Sequence, residues 1–386
     1  MTATDRDNTP TTLNTSPDAF PLNTSSVNTS PHTYPDGHRP LPAEAPEIRE
    51  PRHVPLVQVI RGGLIEGVHH GSAVVLAADG QVLLQAGDPD VAFYPRSALK
   101  PVQAVALVRA GLPLDGELLA LTAASHSGQQ RHLAGARRIL AHGPISEDLL
   151  RNVPDLPYGA PEREAWLRAG HGPSRLAQNC SGKHAAMLLT AQLRGWPLEG
   201  YLDPAHPLQQ LIAETVEDLT GRRVAQVTVD GCGAPLFAVS PRGLARALAR
   251  IAAAPADTPE GRVAAAMREH PEMVAGTGRD VARLMRAVPG LVAKDGFEGV
   301  QVAALPDGRA LAVKIADGAD RARMPVTAAA LAHLGVDPGL LAEFAEAPVL
   351  GGGRPVGSLR AVDLLRPTSP PTLNPHPASP RDTAHR

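Results

Sequence analysis

SAVVLAADGQVLLQA, residues 72–86, consists of two apolar runs separated by Ala78-Asp79-Gly80. An Asp-Gly pair between two apolar runs predicts a β-hairpin, because these residues accept the positive φ of a tight turn. The pattern returns near the other end of the chain, where residues 299–305 and 309–315 flank Pro306-Asp307-Gly308. Each hairpin pairs its strands antiparallel, so the sequence predicts an antiparallel sheet.

The chain between the two hairpins has mostly helical patterns. Apolar residues recur with helical spacing over residues 131–141 and 207–219, whereas residues 56–61 and 356–360 have strand character. Strands, then helices, then strands predict an α+β fold, with an antiparallel sheet formed by N- and C-terminal strands and a central helical region. The βαβ alternation of a dinucleotide-binding fold is missing.

Three local features carry their own predictions. Residues 153–173 contain four prolines and predict a loop, and long connections over a compact fold are often functional. Asn179 precedes an apolar helical run and is a candidate N-cap. Gly351-Gly352-Gly353 predicts a flexible connection.

Composition excludes several classes of function. With 37 basic and 39 acidic residues the formal net charge is -2, which favours neither nucleic acid nor an anionic membrane surface as partner. Aromatic residues make up only 3% of the chain, too few for a module that stacks bases. No apolar run approaches the roughly 20 residues of a membrane span, and no signal peptide is recognisable. Two cysteines in such a chain predict a reduced, cytoplasmic protein.

The same composition divides the chain into three parts. Residues 1–50 are rich in Thr, Asn, Ser and Pro and predict a disordered leader. Residues 51–366 form one predicted folded domain, and residues 367–386 form a Pro-rich, disordered tail.

YPRSALK, residues 94–100, places Ser97 and Lys100 three positions apart. On a helix these positions share a face, so the Lys100 amine can reach the Ser97 hydroxyl. A partly buried, neutral amine beside a serine turns the hydroxyl into a nucleophile, which is the S-x-x-K device of serine acyl-transfer enzymes. The structural alternative is a helix cap followed by a solvated lysine.

Two later segments complete the pattern of S-x-x-K enzymes. Ser125-His126-Ser127 stands where those enzymes have S-D-N, and Lys294-Asp295-Gly296 resembles their K-T-G element. Three elements in the right chain order predict an acyl transferase or hydrolase. A turn serine, a loop histidine and a lysine beside a turn are the structural alternatives, and either Ser125 or Ser127 could be the partner serine.

A second group of reactive side chains contains both cysteines. Cys180 and Lys183 share a helical face, and Cys232 follows a predicted strand in a Gly-rich turn. Two thiolates, a nitrogen and a water suit zinc, although lysine is an uncommon ligand because it must first lose its proton. Two buried thiols or a redox pair are the alternatives. His184 is a candidate for orienting a ligand through a hydrogen bond.

Together these motifs resemble the Rhizobium etli-type (class 3) L-asparaginases. The resemblance covers about residues 54–366, and Cys180-Ser181-Gly182-Lys183-His184 is its most specific part. The other matching segments are Arg61-Gly62-Gly63, Pro95 to Lys100, Ser125 to Gly128, Asn179, Asp230-Gly231-Cys232 and Lys294-Asp295-Gly296.

The resemblance implies a serine β-lactamase and glutaminase-like fold, a homodimer, and hydrolysis of L-asparagine to L-aspartate and ammonia. It implies two Ser-Lys pairs. Ser97 would be the nucleophile with Lys100 as its base, and Ser125 with Lys294 would relay protons to the leaving ammonia.

The resemblance also implies binding residues and a metal. Zinc would be held at the positions of Cys180, Lys183 and Cys232. Arg96 and Asp230 would pair with the α-carboxylate and α-ammonium of the substrate, and His126 is a further candidate for substrate binding.

Asp295 departs from the hydroxyl residue of related serine hydrolases, which puts the binding of a substrate carboxylate in question. A glutaminase or a penicillin-recognising hydrolase of the same fold is a close alternative. A zinc-dependent amino-acid binder without catalysis is an alternative from another class, which retention of both Ser-Lys pairs disfavours.

Overall fold

The computed structural model describes residues 43–363. Residues 1–42 of the predicted leader and the whole predicted tail lie outside the described residues. Residues 43–50, also assigned to the leader by composition, contact the domain through the backbone: Arg223 N donates to Ala43 O (3.1 Å), and Ala92 N donates to Glu47 O (2.9 Å).

The fold is α+β, as the order of strands and helices predicted. The strands are β1 (Val54–Arg61), β2 (Leu64–Leu76), β3 (Val82–Ala86), β4 (Val227–Val229), β5 (Pro235–Phe237), β6 (Val292–Gly296), β7 (Val300–Ala304), β8 (Ala310–Ile315), β9 (Glu346–Gly351) and β10 (Arg354–Ala361). The helices are α1 (Lys100–Arg109), α2 (Gly116–Thr122), α3 (Gln130–Ala141), α4 (Ala160–Arg168), α5 (Ser181–Leu193), α6 (Pro207–Thr220), α7 (Pro241–Ala252), α8 (Pro259–Glu269), α9 (Pro271–Val274), α10 (Asp280–Ala287), α11 (Arg323–His333) and α12 (Pro338–Leu341). No helix among residues 43–363 is both long and apolar enough to cross a membrane.

Both chain ends build the main sheet. Its order is β6-β7-β8-β2-β1-β10-β9, with β3 paired to β2, and all of its pairings are antiparallel. β1 pairs with β10 in the register Val57↔Ala361, so the first and last strands of the described chain lie side by side. The predicted antiparallel sheet formed by N- and C-terminal strands is confirmed.

The two predicted hairpins are confirmed by their turns. Ala77 N donates to Gln81 O (2.8 Å) between β2 and β3, and Leu305 N donates to Arg309 O (2.8 Å) between β7 and β8. Gly80 has φ +83° and Gly308 has φ +91°, a conformation that glycine adopts without a steric penalty.

Helices cover the buried part of the sheet. Every residue of β6 and β7 is buried, so both faces of these strands are covered. α7 packs against β2, β7 and β8, while α11 packs against β7, β8, β9 and β10. One continuous apolar core of mostly Ala, Val and Leu side chains joins these layers.

Three local predictions are wrong. Residues 160–168 form α4 inside the predicted loop, because Pro161 lies in the first helical turn, where its missing N–H costs nothing. The N-cap of α5 is Cys180, one residue after Asn179, and it makes no side-chain capping bond. Gly352 and Gly353, with φ +56° and +75°, form the turn between β9 and β10.

Candidate active site

Ser97 lies in a short 3-10 turn, Arg96–Leu99, that leads directly into α1. Arg96 has φ +52°, a left-handed conformation that costs a non-glycine residue on the order of 1–3 kcal/mol. Arg96 Nε donates to Asp230 Oδ1 (2.7 Å), and its guanidinium stands 5.4 Å from the centre of the Phe297 ring. These two contacts hold the strained residue next to the serine.

Gly296 at the end of β6 supports the same turn. A Cβ on Gly296 would lie 2.4 Å from Pro95 O and 3.1 Å from Ala98 N, so a larger residue would push the turn away. The glycine of Lys294-Asp295-Gly296 therefore brings this strand against the backbone around Ser97.

Ser97 lines a cleft. The residues that line it are Ser97, Ser125, Tyr158, Asn179, Asp295, Gly296, Phe297, Glu298, Gly318 and Asp320. The cleft thus brings together two of the predicted serines and Asp295 from three distant segments of the chain.

Ser125 and Ser127 point in different directions. Ser125 N donates to Val274 O (2.9 Å) and Ser127 N donates to Ala275 O (2.7 Å), so α9 and the residue after it fix this segment. The Ser127 hydroxyl also donates to Ala275 O (3.0 Å), whereas Ser125 lines the cleft. The structure therefore places Ser125 at the cleft and Ser127 behind it.

Lys100 is buried at the start of α1 and has three acceptors. Its Nζ lies within hydrogen-bond distance of Ala124 O (2.6 Å), Ser125 Oγ (3.0 Å) and Cys180 Sγ (2.9 Å). Among the described residues, the predicted contact from Lys100 to Ser97 is not formed. The amine instead bonds to residues just after α2 and at the start of α5, so Lys100 pairs with Ser125, the other serine of the cleft.

Lys294 is fully buried in β6 and pairs with its neighbour. Its Nζ donates to Asp295 O (2.8 Å) and Asp295 Oδ1 (2.5 Å). Within residues 43–363, Lys294 does not form the predicted hydrogen bond to Ser125, because its amine bonds to the adjacent Asp295 carboxylate. Burial lowers the pKa of Lys294 to about 8, against the opposing attraction of Asp295.

Asp295 is shared between two cations. Arg279 donates to Asp295 Oδ2 (2.6 Å), opposite the Lys294 bond. Burial would raise the pKa of Asp295, but Lys294, Arg279 and Arg323 outweigh it and hold this pKa far below its usual range. The aspartate that departs from related hydrolases is thus an ionised, doubly paired carboxylate at the cleft wall.

Arg279 and Tyr158 were missed as site residues. Arg279 comes from the Gly276-Thr277-Gly278 turn before α10, and its guanidinium stands 4.7 Å from the centre of the Tyr158 ring. Tyr158 comes from the predicted loop, which is held by a bond from Gly159 N to Ser127 O (2.9 Å). The Pro-rich composition was the signal for this segment, but nothing in it pointed to Tyr158.

The two predicted binding residues Arg96 and Asp230 pair with each other. Their side chains are only 25% and 12% exposed. Burial would raise the pKa of Asp230, but the positive charges of Lys183 and Arg96 outweigh it and lower this pKa. The pair is therefore a charged one at the edge of the site.

The predicted metal ligands lie together as a buried cluster of Cys180, Lys183 and Cys232. Lys183 Nζ donates to Cys232 Sγ (3.3 Å), and both cysteines are free thiols. The contact between the thiols raises the pKa of Cys180 to about 12 and lowers that of Cys232. Burial would lower the pKa of Lys183, but the nearby thiols outweigh it and raise this pKa.

The two predicted site histidines are buried, and neither lines the cleft. His126 is fully buried, with Nε2 2.9 Å from Ser181 Oγ and its ring stacked 4.9 Å from that of His132. It does not line the described cleft, so the prediction that it binds substrate is not supported by its position. His184 Nδ1 lies 2.8 Å from the Tyr201 hydroxyl, and its buried Nε2 has no partner among the described residues. Burial lowers the pKa of both histidines.

The fold thus brings two serines to one cleft, and two buried lysines bond to residues that line it. The chain belongs to the L-asparaginase II family, whose model matches residues 57–361. The match spans nearly all the described residues. A search of curated proteins found no match.

Several solved structures are similar to this chain at low identity. Mglu in its native form is 19% identical, with 64% of this chain and 60% of that chain covered and a TM-score of 0.34. EstCE1, a hydrolase with promiscuous acyltransferase activity, is 14% identical; the alignment covers 64% of this chain and 88% of EstCE1, with a TM-score of 0.35. A Bacillus glutaminase is 16% identical; the alignment covers 64% of this chain and 83% of the glutaminase, with a TM-score of 0.27. The chain thus spans less than two thirds of the length of Mglu.

Proposed function

We propose that the protein hydrolyses L-asparagine to L-aspartate and ammonia. The observation that carries the proposal is the shared cleft of Ser97 and Ser125, with the Lys100 amine bonded to the Ser125 hydroxyl behind it. Membership of the L-asparaginase II family supports the choice of substrate.

In the proposed reaction, Ser97 Oγ attacks the carboxamide carbon of the substrate. Its proton passes to Ser125 Oγ while Ser125 gives its own proton to a neutral Lys100, which is the connection that the Lys100–Ser125 bond supports. Protonated Lys294 supplies the proton for the leaving group, the C–N bond breaks and ammonia departs. Water then attacks the acyl-enzyme ester and gives one proton to neutral Lys294. As the ester C–O bond breaks, Lys100 returns its proton through Ser125 to Ser97, and L-aspartate leaves after its carboxyl proton passes to solvent.

The Arg96–Asp230 pair gives a basis for recognising a zwitterion. A free amino acid carries one carboxylate and one ammonium, so it can replace the internal ion pair with two matching contacts. In this proposal Arg96 binds the α-carboxylate and Asp230 binds the α-ammonium. An amide without these charges would have to leave the internal pair intact.

We also propose that the cluster of Cys180, Lys183 and Cys232 holds zinc. Two thiols and an amine within one buried cluster fit zinc by donor type, although Lys183 must lose the proton that the thiols stabilise. Residues 43–363 contain no group of three or more His, Cys, Asp or Glu side chains placed for a metal. Bound zinc would supply a positive charge near the substrate. Lys100 contacts both Cys180 and Ser125, and so connects the cluster to Ser125.

A homodimer in the cytoplasm completes the proposal. Exposed apolar side chains at the ends of the β1–β2 and β9–β10 hairpins, Leu64, Ile65 and Leu350, support a self-association surface. Two free, buried thiols are consistent with a reducing compartment. Light scattering at micromolar concentration would report the mass, and a monomer would contradict the dimer.

The decisive experiment is ammonia release by the purified protein from L-asparagine and from L-glutamine. We expect selective release from asparagine, reduced after treatment with a zinc chelator and restored by added zinc. Faster release from glutamine would indicate a glutaminase of the same site. If neither amide releases ammonia but calorimetry shows zinc-dependent binding of asparagine, the protein would be a non-catalytic amino-acid binder.

The metal proposal has its own control. Metal analysis of the purified protein should find about one zinc per chain, and Cys232→Ser should lose it. Full zinc content in Cys232→Ser would show that the metal is bound elsewhere.

A further inference from the structure

Asn179 lines the cleft together with Ser97 and Ser125, and the proposed reaction gives it no role. It precedes α5 and is half-buried, so its side chain borders the cleft without being an exposed surface group. The orientation of its amide follows from a short series of hydrogen bonds that begins at a backbone group.

The first step fixes the amide of Gln178. Cys180 N–H donates to Gln178 Oε1 (2.9 Å), and a backbone N–H can only donate. Asn152 Nδ2 donates to the same oxygen (3.0 Å). The oxygen of Gln178 therefore faces these two donors, and its NH₂ group must face the other way.

The second step fixes the amide of Asn179. Gln178 Nε2 donates to Asn179 Oδ1 (3.1 Å), and the Cys180 thiol lies 3.1 Å from the same oxygen. With its oxygen committed on this side, Asn179 presents Nδ2 as its free end. Within residues 43–363 that nitrogen has no hydrogen-bond partner.

The backbone of Asn179 is held as well. Its carbonyl accepts a bond from His126 N (3.0 Å), which ties it to the segment that carries Ser125. A donor with fixed orientation on a fixed backbone is what an oxyanion site requires, because it needs no reorganisation during the reaction.

We infer that Asn179 Nδ2 stabilises the oxyanion formed from the carboxamide oxygen of the substrate. When Ser97 Oγ bonds to the carbonyl carbon, the π electrons move onto the oxygen, and Nδ2–H donates to this negative charge. When the C–N bond breaks and ammonia leaves, the electrons return and the carbonyl re-forms. The role rests on the proposed serine hydrolysis, but it applies to any amide or ester that enters the cleft.

Gln178 is then a positioning residue for Asn179. Gln178→Glu replaces the NH₂ donor by a carboxylate oxygen, which favours an Asn179 amide turned round to donate to it. The carbonyl oxygen of Asn179 would then face the cleft and repel an oxyanion. A merely structural role for Gln178 would lower stability and leave the orientation of Asn179 unchanged.

The test measures kcat and KM for L-asparagine and, separately, the acylation rate with p-nitrophenyl acetate. Asn179→Ala should lower kcat and the acylation rate by about 10²–10³-fold, the usual loss for one oxyanion donor, with KM changed much less. Gln178→Glu should lower both rates in the same direction. Gln210→Glu, the same change on an exposed face of α6, is the matched control and should leave them unchanged.

The outcomes separate this inference from the proposed function. A wild-type protein that releases ammonia while Asn179→Ala keeps its full kcat overturns the inference alone. A wild-type protein that is inert to asparagine but is acylated by the ester, with loss in Asn179→Ala, overturns the asparaginase proposal and supports the oxyanion role. A wild-type protein inert to both overturns both. If kcat falls together with the melting temperature in all three variants, the loss of activity comes from a structural effect, and the inference is overturned.

Discussion

The hydroxyls of Ser97 and Ser127 have different surroundings. Ser97 lines the cleft, whereas the Ser127 hydroxyl donates to Ala275 O. We expect Ser97→Ala to abolish ammonia release without loss of folding. Ser127→Ala should keep kcat and lose about 1 kcal/mol of stability, the usual contribution of one hydrogen bond.

These two variants are compared by steady-state kinetics and by thermal unfolding. Full activity of Ser97→Ala would show that another group attacks the substrate. Loss of activity in Ser127→Ala at unchanged stability would mean that Ser127 is the partner serine.

Lys294 should set the alkaline limb of the pH profile. Burial lowers its pKa to about 8, so the protonated form that is proposed to protonate the leaving nitrogen is lost above that pH. We expect kcat to fall as the pH rises through about 8. Arg279→Gln removes a nearby positive charge that favours neutral Lys294, so the pKa should rise and the limb should move to higher pH.

The measurement is kcat against pH for both proteins. A limb that moves to lower pH in Arg279→Gln would contradict the assignment. If the fall of kcat at high pH occurs at the same pH in both proteins, a group other than Lys294 causes it.

At the scale of elements, the position of α5 depends on a close approach to α2. A Cβ on Gly182 would lie 2.5 Å from the Leu121 side chain and 2.7 Å from Leu121 O. Gly182→Ala should therefore cost about 1–3 kcal/mol of stability, as overpacking does. It should also weaken the proposed zinc binding, because Lys183 follows this glycine and Cys180 precedes it by two residues.

Gly172→Ala is the matched control for this substitution. No atom lies within 4 Å of a Cβ there, so the free energy of unfolding should change by less than about 0.5 kcal/mol. Denaturant unfolding of both variants makes the comparison. Equal stability of Gly182→Ala and wild type would show that α5 shifts at no cost.

The elements with strong local signals were the predictable ones. The hairpins at β2–β3 and β7–β8 have Asp-Gly turns, and α3 and α6 have clear helical periodicity. β9 has little such pattern, and it becomes a strand because β10 offers it a hydrogen-bonding edge. Tertiary pairing of this kind is not visible in a local window.

At the scale of the whole molecule, β1 depends on a strand from the far end of the chain. β10 pairs with β1 over Val57–Arg61, and it buries Leu359 in the core. A chain ending at Ala345 lacks β9 and β10, which leaves the backbone groups of β1 unpaired on one side. We expect such a chain to lose cooperative unfolding or to aggregate.

A chain ending at Asp363 retains all ten strands and is the control. Circular dichroism during thermal unfolding and the soluble fraction after expression report the difference. Wild-type stability of the chain ending at Ala345 would show that β1 to β8 fold independently.

The sequence by itself determined the α+β class, the two hairpins and the identity of the reactive side chains. It did so because turn chemistry and periodicity are local, and because Ser97, Lys100, Ser125 and Lys294 stand in recognisable motifs. These motifs also carried the resemblance to a family to which the chain belongs.

Only the tertiary structure decided which of these side chains meet. Lys100 bonds to Ser125 and Cys180, and Lys294 bonds to Asp295, which also binds Arg279. Apart from the bond between the neighbours Lys294 and Asp295, these contacts join residues far apart in sequence, and their distances are set by how α1, α2, α5 and β6 pack. A change of a few ångströms in that packing would select other partners, because a hydrogen bond requires an approach of about 3 Å.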